Sequence, residues 1–236
     1  MEVNANRNLT QQVAHTLGMG ILQGKYSPGK ALPSEAELSE MFNVSRSATR
    51  EAVKTLAAKG LLSSRPRQGI RVLPDTQWNL FDTDVLGWIL ASRPSLELLR
   101  DFIQMRLAIE PEAAALAAGH SGSPEVALIG EALQRMADAE DGLDDPLESD
   151  IAFHGAILLA SKNRFFVQLR PFSATALRAS IRHTNKLKGV AMASVTEHTR
   201  VYDAIRKGRA KQARSLMRGL VEEALALIEN RIASSA

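Results

Sequence analysis

The chain has 236 residues, a formal net charge of +3 and no cysteine. The lack of cysteine excludes disulfide scaffolds, thiolate zinc fingers, iron–sulfur clusters and cysteine nucleophiles. Aromatic residues make up only 5% of the chain, and a composition rich in alanine and leucine favours a mainly α-helical fold. No apolar run is long enough to span a bilayer and the N-terminus lacks a signal-peptide layout. We therefore expect a cytoplasmic protein with no membrane partner.

Positive charge is concentrated in the N-terminal third. Residues 1–76 contain ten Lys and Arg against six Asp and Glu. Seven of the ten basic residues lie from Arg46 to Arg71, where Glu51 is the single acidic residue. A cationic N-terminal module on a nearly neutral body indicates a polyanion as the partner of this module. The alternative is a solvated basic face on a helical domain.

Three helices are predicted before residue 60. Apolar residues recur at helical spacing over residues 9–22, which predicts a first amphipathic helix. Ser34 and Glu37 have the spacing of a capping box, so a second helix begins at Ser34. Ser45 can cap a third helix that ends near Gly60. Two short helices joined by a tight turn predict a helix-turn-helix.

The first turns of the third helix carry side chains suited to DNA. They are Ser45, Arg46, Ser47, Thr49 and Arg50. This end of a recognition helix approaches the base edges in the major groove. Arginine matches guanine with two donors, whereas Ser and Thr hydroxyls suit phosphates. We expect these five residues to contact DNA.

A β-hairpin is predicted after the third helix. Its tip carries Arg65 and Arg67, and Gly69 supplies the turn geometry. A basic hairpin of this kind can act as a wing along the minor groove. Residues 1–75 are therefore predicted to form a winged helix-turn-helix domain that binds DNA through the recognition helix and through the wing.

The motifs of this region resemble those of the GntR family of bacterial transcription regulators. They stand here as Leu32-Pro33-Ser34-Glu35, Val44-Ser45-Arg46, Arg50-Glu51-Ala52-Val53, Gly60-Leu61-Leu62 and Gly69-Ile70-Arg71-Val72. The resemblance implies binding to a double-stranded DNA operator through the recognition-helix residues and the wing. Ala36 departs from the pattern, since some relatives place a DNA-contacting arginine there.

The rest of the chain is predicted to be helical. Residues 76–94 are predicted to form a linker and the first helix of an effector domain, with Asp82 available as a cap. Residues 95–236 contain roughly six further helical segments joined by short connections, a pattern typical of an antiparallel all-helical bundle. The expected breaks lie near residues 119–124, 142–146, 161–163, 186–189 and 207–208.

Polar residues at predicted core positions mark a candidate site in this bundle. Asp150 and His154 are four residues apart and share a helix face, while His198 follows on a later helix. One carboxylate and two imidazoles can hold a divalent transition metal such as Zn, Ni or Mn; a hydrogen-bonded Asp–His pair is the alternative. For Arg106, a contact with an effector carboxylate and an ion pair with Glu110 are both open.

Residues 95–231 resemble the FCD effector domain of the FadR-type branch of the GntR family. The matching motifs lie at residues 106–118, 150–163 and 197–208. Members of the family bind a metal through the residues that match Asp150, His154 and His198, so the resemblance implies a metal cofactor here. A further histidine, expected 22 residues after His198, is Leu220 in this chain, which leaves three protein ligands.

Residues 77–90 resemble the linker and first effector helix of the galactonate-responsive members of the family, which regulate sugar-acid catabolism. This resemblance implies a polyhydroxy carboxylate, such as an aldonate, as the effector. Arg106, with a bound metal, can hold the carboxylate. The other expected effector contacts are Arg178, Asn185, Ser194 and Thr196.

These features together predict a repressor of sugar-acid catabolic genes that a carboxylate effector releases from DNA. We expect a homodimer on an inverted repeat, because one recognition helix reads too few base pairs for specificity. Two alternatives are open. The metal itself could be the signal, or the chain could be a metal-dependent hydrolase with Glu197 or a nearby carboxylate as the base. The hydrolase alternative leaves the basic recognition helix and the wing unexplained.

Overall fold

The computed structural model describes residues 9–92, 95–190 and 192–235. The chain divides into two compact units, Met1–Arg93 and Pro94–Ala236. The first unit contains α1 (Leu9–Leu22), α2 (Glu35–Phe42), α3 (Arg46–Ala58), β1 (Leu62–Arg65), β2 (Gly69–Val72), a 3-10 turn (Asp75–Gln77) and α4 (Thr83–Ser92). The second contains α5 (Leu96–Ala118), α6 (Pro124–Glu140), α7 (Pro146–Ala160), α8 (Arg164–Gln168), α9 (Arg170–Lys188), α10 (Val195–Arg206) and α11 (Ala210–Ala233). The predicted mainly α fold is confirmed.

Serine caps start both helices of the helix-turn-helix. At α2 the Ser34 hydroxyl accepts a hydrogen bond from the Glu37 amide, and the Glu37 carboxylate accepts one from the Ser34 amide. At α3 the Ser45 hydroxyl accepts from the Ala48 amide. Asn43, between the helices, has a left-handed φ of 50°, a conformation that Asn tolerates and that ends α2 sharply. The predicted boundaries of both helices therefore rest on local hydrogen bonds.

The wing is a short antiparallel hairpin in which Arg65 of β1 lies opposite Gly69 of β2. The segment at residues 29–32 pairs along the other side of β2. The turn contains Arg67 at φ 64°, and Gly69 follows at φ 71°. Pro66 precedes Arg67, and proline followed by a positive φ is the pattern of a type II turn. The hairpin was predicted, but the left-handed conformation of Arg67 was not.

One hydrophobic core joins α1, α2, α3, the hairpin and α4. Its fully buried residues include Leu17, Leu38, Leu56 and Leu61. Val85 and Trp88, one turn apart on α4, belong to the same core. Trp88 packs so closely on α1 that a Cβ added at Gly18 would lie 2.4 Å from its ring.

The packing of α4 corrects one sequence prediction. Residues 76–94 were predicted to form a linker and the first helix of the effector domain. Instead α4 is built into the first unit, because Val85 and Trp88 both pack into its core. Residues 93 and 94, at the end of the predicted segment, lie outside the described residues.

The second unit is a bundle of helices joined by short connections. The five predicted breaks all separate helices in the structure. A further break at Leu169, which was not predicted, ends α8 and starts α9. Pro171 follows at the start of α9, where its missing N–H is tolerated. Within the described ranges, none of the helices has both the length and the apolar character required to cross a membrane.

The interior of the bundle is built around α5 and α7. The long helix α5 packs along α11 and also touches α7, α9 and α10. Residues on most sides of α7 are buried. The polar residues Asp150 and His154 of α7 therefore lie in the core, and α5 places Arg106 and Glu110 in the same interior.

Candidate functional site

The N-terminus of α3 presents a basic polar surface. Arg46, Ser47 and Arg50 are exposed, as is Ser45, whose hydroxyl also caps the helix. The Arg50 Nε donates to Glu35 Oε2 at 3.0 Å, so a residue of α2 orients this guanidinium. Exposed arginines at the start of a recognition helix are placed to reach base edges and phosphates.

Thr49 does not belong to this surface. Its side chain is fully buried, and its hydroxyl donates to the Ser45 carbonyl at 3.3 Å. The reason is helical periodicity, since Thr49 shares the inner face of α3 with Val53 and Leu56. The expectation that Thr49 contacts DNA is therefore wrong for this structure.

The wing presents a second basic surface in the same unit. Arg65, Arg67 and Gly69 are all exposed at the tip of the hairpin. At its base, the Arg71 guanidinium donates to the Gly29 carbonyl at 3.0 Å and ties β2 to the preceding loop. The tip thus carries two guanidinium groups on a short, braced hairpin.

In the second unit, α7 and α10 bring together three potential metal ligands. One ligand atom from each of Asp150, His154 and His198 lies within 4.8 Å of the others. All three residues are buried. The Nε2 atoms of His154 and His198 each lie 3.3 Å from Asp150 Oδ1. The structure thus brings the three predicted ligands together.

The outer ring nitrogens of both histidines face hydrogen-bond acceptors. His198 Nδ1 lies 2.8 Å from the Ser194 carbonyl oxygen, and His154 Nδ1 lies 2.8 Å from Glu110 Oε2. An acceptor at Nδ1 favours the proton there and leaves a lone pair on Nε2, an arrangement common around metal sites. Sequence reasoning considered Glu110 only as a partner of Arg106.

Two atoms of the cluster are left without a hydrogen bond. Among the described residues, Asp150 Oδ1 and His198 Nε2 are buried and have no hydrogen-bond partner. A buried, unsatisfied carboxylate oxygen facing an imidazole nitrogen is costly, and a divalent cation would satisfy both. The donor set of one carboxylate and two imidazoles suits Zn, Ni or Mn. The residues present therefore fit a metal.

A buried ion pair on α5 borders the cluster. Arg106 Nε donates to Glu110 Oε1 at 2.7 Å and Nη2 donates to Oε2 at 3.1 Å. Burial raises the pKa of Glu110, but Arg106 and His154 outweigh burial and hold this pKa at about 2. Burial likewise raises the pKa of Asp150, whereas His154 and His198 lower it below its ordinary value. Both carboxylates are therefore ionised at neutral pH.

The protonation of His154 opposes metal binding. Burial lowers the pKa of this residue, but Glu110 and Asp150 raise it more, and the net shift is upward. A metal ion at the cluster therefore has to compete with a proton on His154.

A pocket opens beside the cluster and extends toward α9 and α11. Its polar lining includes Arg106, Thr184, Asn185, Lys188, Ser194, Glu197 and Glu223, and Leu220 also borders it. Lys188 Nζ and Glu223 Oε1 form an ion pair of 2.7 Å. The predicted effector contacts Arg106, Asn185 and Ser194 therefore line one pocket with the predicted metal ligands.

Arg178 is not part of this pocket. It precedes Asn185 by seven residues on α9, which is about 10 Å along a helix. Its guanidinium forms a two-pronged ion pair with Glu148 of α7, with Nε donating at 2.8 Å and Nη2 at 2.9 Å. The expectation that Arg178 contacts the effector does not fit this placement. Thr196, an exposed residue, is not among the pocket residues.

Helical periodicity could have found the lining residues that were missed. Thr184 and Lys188 flank Asn185 on the face of α9 that begins at Ile181, with the spacing i, i+3, i+4 and i+7. Glu223 follows Leu220 by one turn of α11. The close approach of Lys188 to Glu223 depends on the packing of α9 against α11, which no local pattern indicates.

Comparison with known families and proteins matches both units. The family described as "Bacterial regulatory proteins, gntR family" matches residues 9–72, and the FCD domain matches residues 101–223. The galactonate operon transcriptional repressor of Escherichia coli K12 is 36% identical over 84% of this chain and 87% of its own length. The regulator YieP of the same organism is 35% identical over 86% and 88%.

A solved structure has the same overall fold. It belongs to Lar, a protein that controls expression of the Listeria monocytogenes agr system, and its TM-score is 0.63. The match covers 96% of this chain and 99% of that one, at 18% identity.

Proposed function

The chain belongs to the GntR family of bacterial regulatory proteins and carries an FCD domain, and on this premise we propose that it is a repressor released from its operator by a sugar acid. Its families and relatives are DNA-binding transcription regulators rather than enzymes. The hydrolase alternative is therefore set aside. The effector class is our proposal, as are the metal and the dimeric state.

The observation that carries the proposal is the buried Asp150–His154–His198 cluster beside Arg106. Asp150 and Glu110 are ionised, and Arg106 is already paired with Glu110. An anionic effector therefore needs more positive charge than the chain supplies here. A divalent cation held by the three ligands would supply that charge and accept a carboxylate oxygen. Arg106 would hold and orient the same carboxylate.

The rest of the pocket suits the hydroxyl groups of a sugar acid. Asn185 and Ser194 each offer a donor and an acceptor, and Glu197 and Glu223 offer carboxylate acceptors. Lys188, paired with Glu223, adds a donor. A lining with several polar groups beyond the carboxylate anchor favours a polyhydroxy acid over a short hydroxy acid. The name of the galactonate operon repressor, a relative at 36% identity, supports an aldonate.

On the DNA side, we propose that Arg46, Ser47 and Arg50 read the major groove and that Arg65 and Arg67 enter the minor groove. Ser45 would contribute through its exposed position at the helix N-terminus. A homodimer on an inverted repeat would double the sequence that one recognition helix reads. Replacing Arg46 by Ala should weaken binding to a duplex selected in vitro by roughly 1 to 3 kcal/mol. Arg100→Ala, at a partly exposed arginine of the second unit, is the matched control.

The effector proposal is tested by calorimetry on the metal-loaded protein. We expect D-galactonate or a related aldonate to bind more tightly than lactate and to lower operator affinity. Arg106→Lys keeps the charge beside Glu110 but lacks the two-pronged guanidinium, so it should weaken aldonate binding. Arg178→Lys, outside the pocket, should leave it unchanged.

Three results would contradict the proposal. Aldonates could fail to bind the metal-loaded protein, they could bind without changing operator affinity, or Arg106→Lys and Arg178→Lys could behave alike. If metal alone released the operator, the metal-sensing alternative would replace the sugar-acid effector. Circular dichroism of each variant controls for misfolding.

A further inference from the structure

A half-buried lysine ties the end of the recognition helix to α4. Lys59 is the C-terminal cap residue of α3, and only 13% of its side chain is exposed. Its Nζ donates to both carboxylate oxygens of Asp82, at 2.7 and 2.8 Å, and to Asp84 Oδ2 at 2.9 Å. The ammonium also lies 5.9 Å from the centre of the Trp88 ring. We refer to Lys59, Asp82 and Asp84 as the clamp.

The backbone around the clamp is held as closely as its side chains. The Lys59 carbonyl accepts a hydrogen bond from the Asn79 amide at 3.1 Å. Gly60 has a φ of 76°, and a Cβ added there would lie 2.4 Å from the Gln77 carbonyl oxygen. The turn after α3 and the segment before α4 are therefore in contact and leave no room for a side chain between them.

Asp82 has two tasks in the clamp. Its Oδ1 accepts hydrogen bonds from the amides of Asp84 and Val85, at 3.0 and 3.1 Å, and so starts α4. The same carboxylate receives Lys59 from α3. Because one side chain fixes the start of α4 and holds the end of α3, these two helix ends move together while the clamp is intact.

In the sequence, α4 is followed by α5, the helix that carries a residue of the proposed effector pocket. α4 ends at Ser92 and α5 begins at Leu96. Arg106 and Glu110, which border the metal cluster, lie on α5. A displacement transmitted along the backbone from α5 reaches α4 first, and the clamp is the polar attachment of α4 to the recognition helix.

We propose that the clamp is the element through which effector binding changes operator affinity, with Lys59 as the positioning residue of the recognition helix. This inference rests on the proposed function. Only 13% of the Lys59 side chain and 23% of the Asp82 side chain are exposed, although Asp84 is exposed. Separating α3 from α4 would therefore leave Lys59 without its two carboxylates in a partly apolar site. The clamp therefore favours one arrangement of α3 and α4, and an effector that biased this arrangement would change DNA binding.

The test compares Lys59→Met with wild-type protein. Methionine keeps an unbranched apolar stem against Trp88 but removes the charge. With metal-loaded, full-length protein and D-galactonate as the probe, we expect unchanged galactonate affinity and a loss of at least tenfold in the effect of galactonate on operator affinity. Lys59→Arg, which can pair with both carboxylates, should restore the response. Lys54→Met, an exposed lysine on the same helix, is the matched control.

A second measurement does not depend on the effector. Amide hydrogen exchange in α4 should be at least tenfold faster in Lys59→Met than in Lys54→Met, whereas exchange in α7 should be unchanged. Asp84→Asn provides a milder variant if Lys59→Met does not fold.

The outcomes separate the clamp from the proposed function. If Lys59→Met kept the full galactonate response, or if exchange in α4 were unaltered, the proposed role of the clamp would be contradicted and the proposed function would stand. If wild-type protein bound no aldonate, the proposed function would fail, and the exchange experiment would still decide whether the clamp joins α3 to α4.

Discussion

Arg67 combines an exposed guanidinium with a backbone conformation that disfavours it. Its φ of 64° lies in the left-handed region, which costs an ordinary L-residue roughly 1 to 2 kcal/mol relative to glycine. A strained, exposed basic residue at the tip of a wing is most simply explained by a contact with DNA. Stability and DNA affinity at this position should therefore respond differently to substitution.

Two substitutions at Arg67 separate the two effects. Arg67→Gly and Arg67→Ala both remove the guanidinium, so they should lower operator affinity equally. Glycine relieves the strain and alanine keeps it, so the free energy of unfolding should be about 1 kcal/mol greater for Arg67→Gly. Urea denaturation and fluorescence anisotropy with operator DNA measure the two quantities. Equal stabilities would show that the turn relaxes, and wild-type operator affinity would remove Arg67 from the DNA interface.

Glu110 contacts one of the proposed metal ligands without belonging to the proposed ligand set. Its Oε2 lies 2.8 Å from His154 Nδ1. Partners of this kind typically contribute 10- to 100-fold to metal affinity, so Glu110→Gln should weaken zinc binding by about that factor. A competition titration against a chromophoric chelator measures it. Glu148→Gln, which removes a carboxylate paired with Arg178 on the same bundle, is the control. Equal zinc affinities for the two variants would contradict the assignment.

At the scale of helices and strands, the sequence predicted the features that depend on contacts between residues close together in the chain. The caps at Ser34 and Ser45 each depend on an amide three residues away, so their spacing is visible in the sequence. The burial of Thr49 depends on which face of α3 packs inward. The neighbours of Thr49 are residue types suited to DNA contacts, and they led to the incorrect prediction that Thr49 contacts DNA. The position of α4 in the first unit depends on the fit of Trp88 against Gly18, a contact between positions 70 residues apart.

The attachment of α4 to α3 should depend on pH. Burial raises the pKa of Asp82, but Lys59 and the backbone amides of Val85 and Asp84 together outweigh burial, and the net pKa lies below the ordinary 3.8. Burial lowers the pKa of Lys59, but Asp82 and Asp84 outweigh it and the net pKa lies above 10.5. A carboxylate with a lowered pKa stabilises the fold fully at pH values above 3.8, the pKa of the unfolded chain. A lysine with a raised pKa stabilises the fold fully at pH values below 10.5. The contribution of the clamp is therefore fully present between these two values.

Unfolding experiments at several pH values test this window. The stability difference between wild-type protein and Lys59→Met should be constant from about pH 5 to about pH 9 and should shrink as the pH falls below about 4. Urea denaturation followed by Trp fluorescence measures the difference. The control is the stability difference between wild-type protein and Lys54→Met, which breaks the exposed ion pair of Lys54 with Glu51. This difference should be small at every pH, because exposed pairs contribute little to stability. A difference that persisted unchanged into acid would show that Lys59 stabilises α4 through its aliphatic stem alone.

At the scale of the whole molecule, the candidate site shows where sequence reasoning stops. Asp150 and His154 were predictable because four residues separate them on one helix. The approach of His198 was supplied by the family resemblance, since nothing local relates α10 to α7. The ion pair of Lys188 with Glu223 could not be predicted at all, because it depends on how α9 and α11 pack. Residues of one helix are thus recovered from periodicity, and contacts between helices require the fold.

The proposed metal ligands and the proposed effector contacts line one pocket, which leads to a prediction about the mutual dependence of metal and effector binding. If the cation at Asp150, His154 and His198 supplies the charge that a carboxylate needs, each ligand must strengthen binding of the other by the same factor. We expect that factor to be at least tenfold, which corresponds to about 1.4 kcal/mol. Calorimetry of D-galactonate with zinc-loaded and chelator-treated protein gives one side of the cycle, and zinc titration with and without galactonate gives the other.

The same cycle distinguishes a metal that binds the effector from a purely structural metal and from a sensing metal. A structural ion would raise stability without changing the galactonate affinity of protein that remains folded, and a sensing ion would change operator affinity in the absence of galactonate. Coupled binding, with operator release only when both ligands are present, requires Arg106 and the metal ligands to hold one carboxylate together. Arg106→Lys should then reduce the coupling factor while leaving zinc affinity without galactonate nearly unchanged, a result that neither a structural nor a sensing metal would produce.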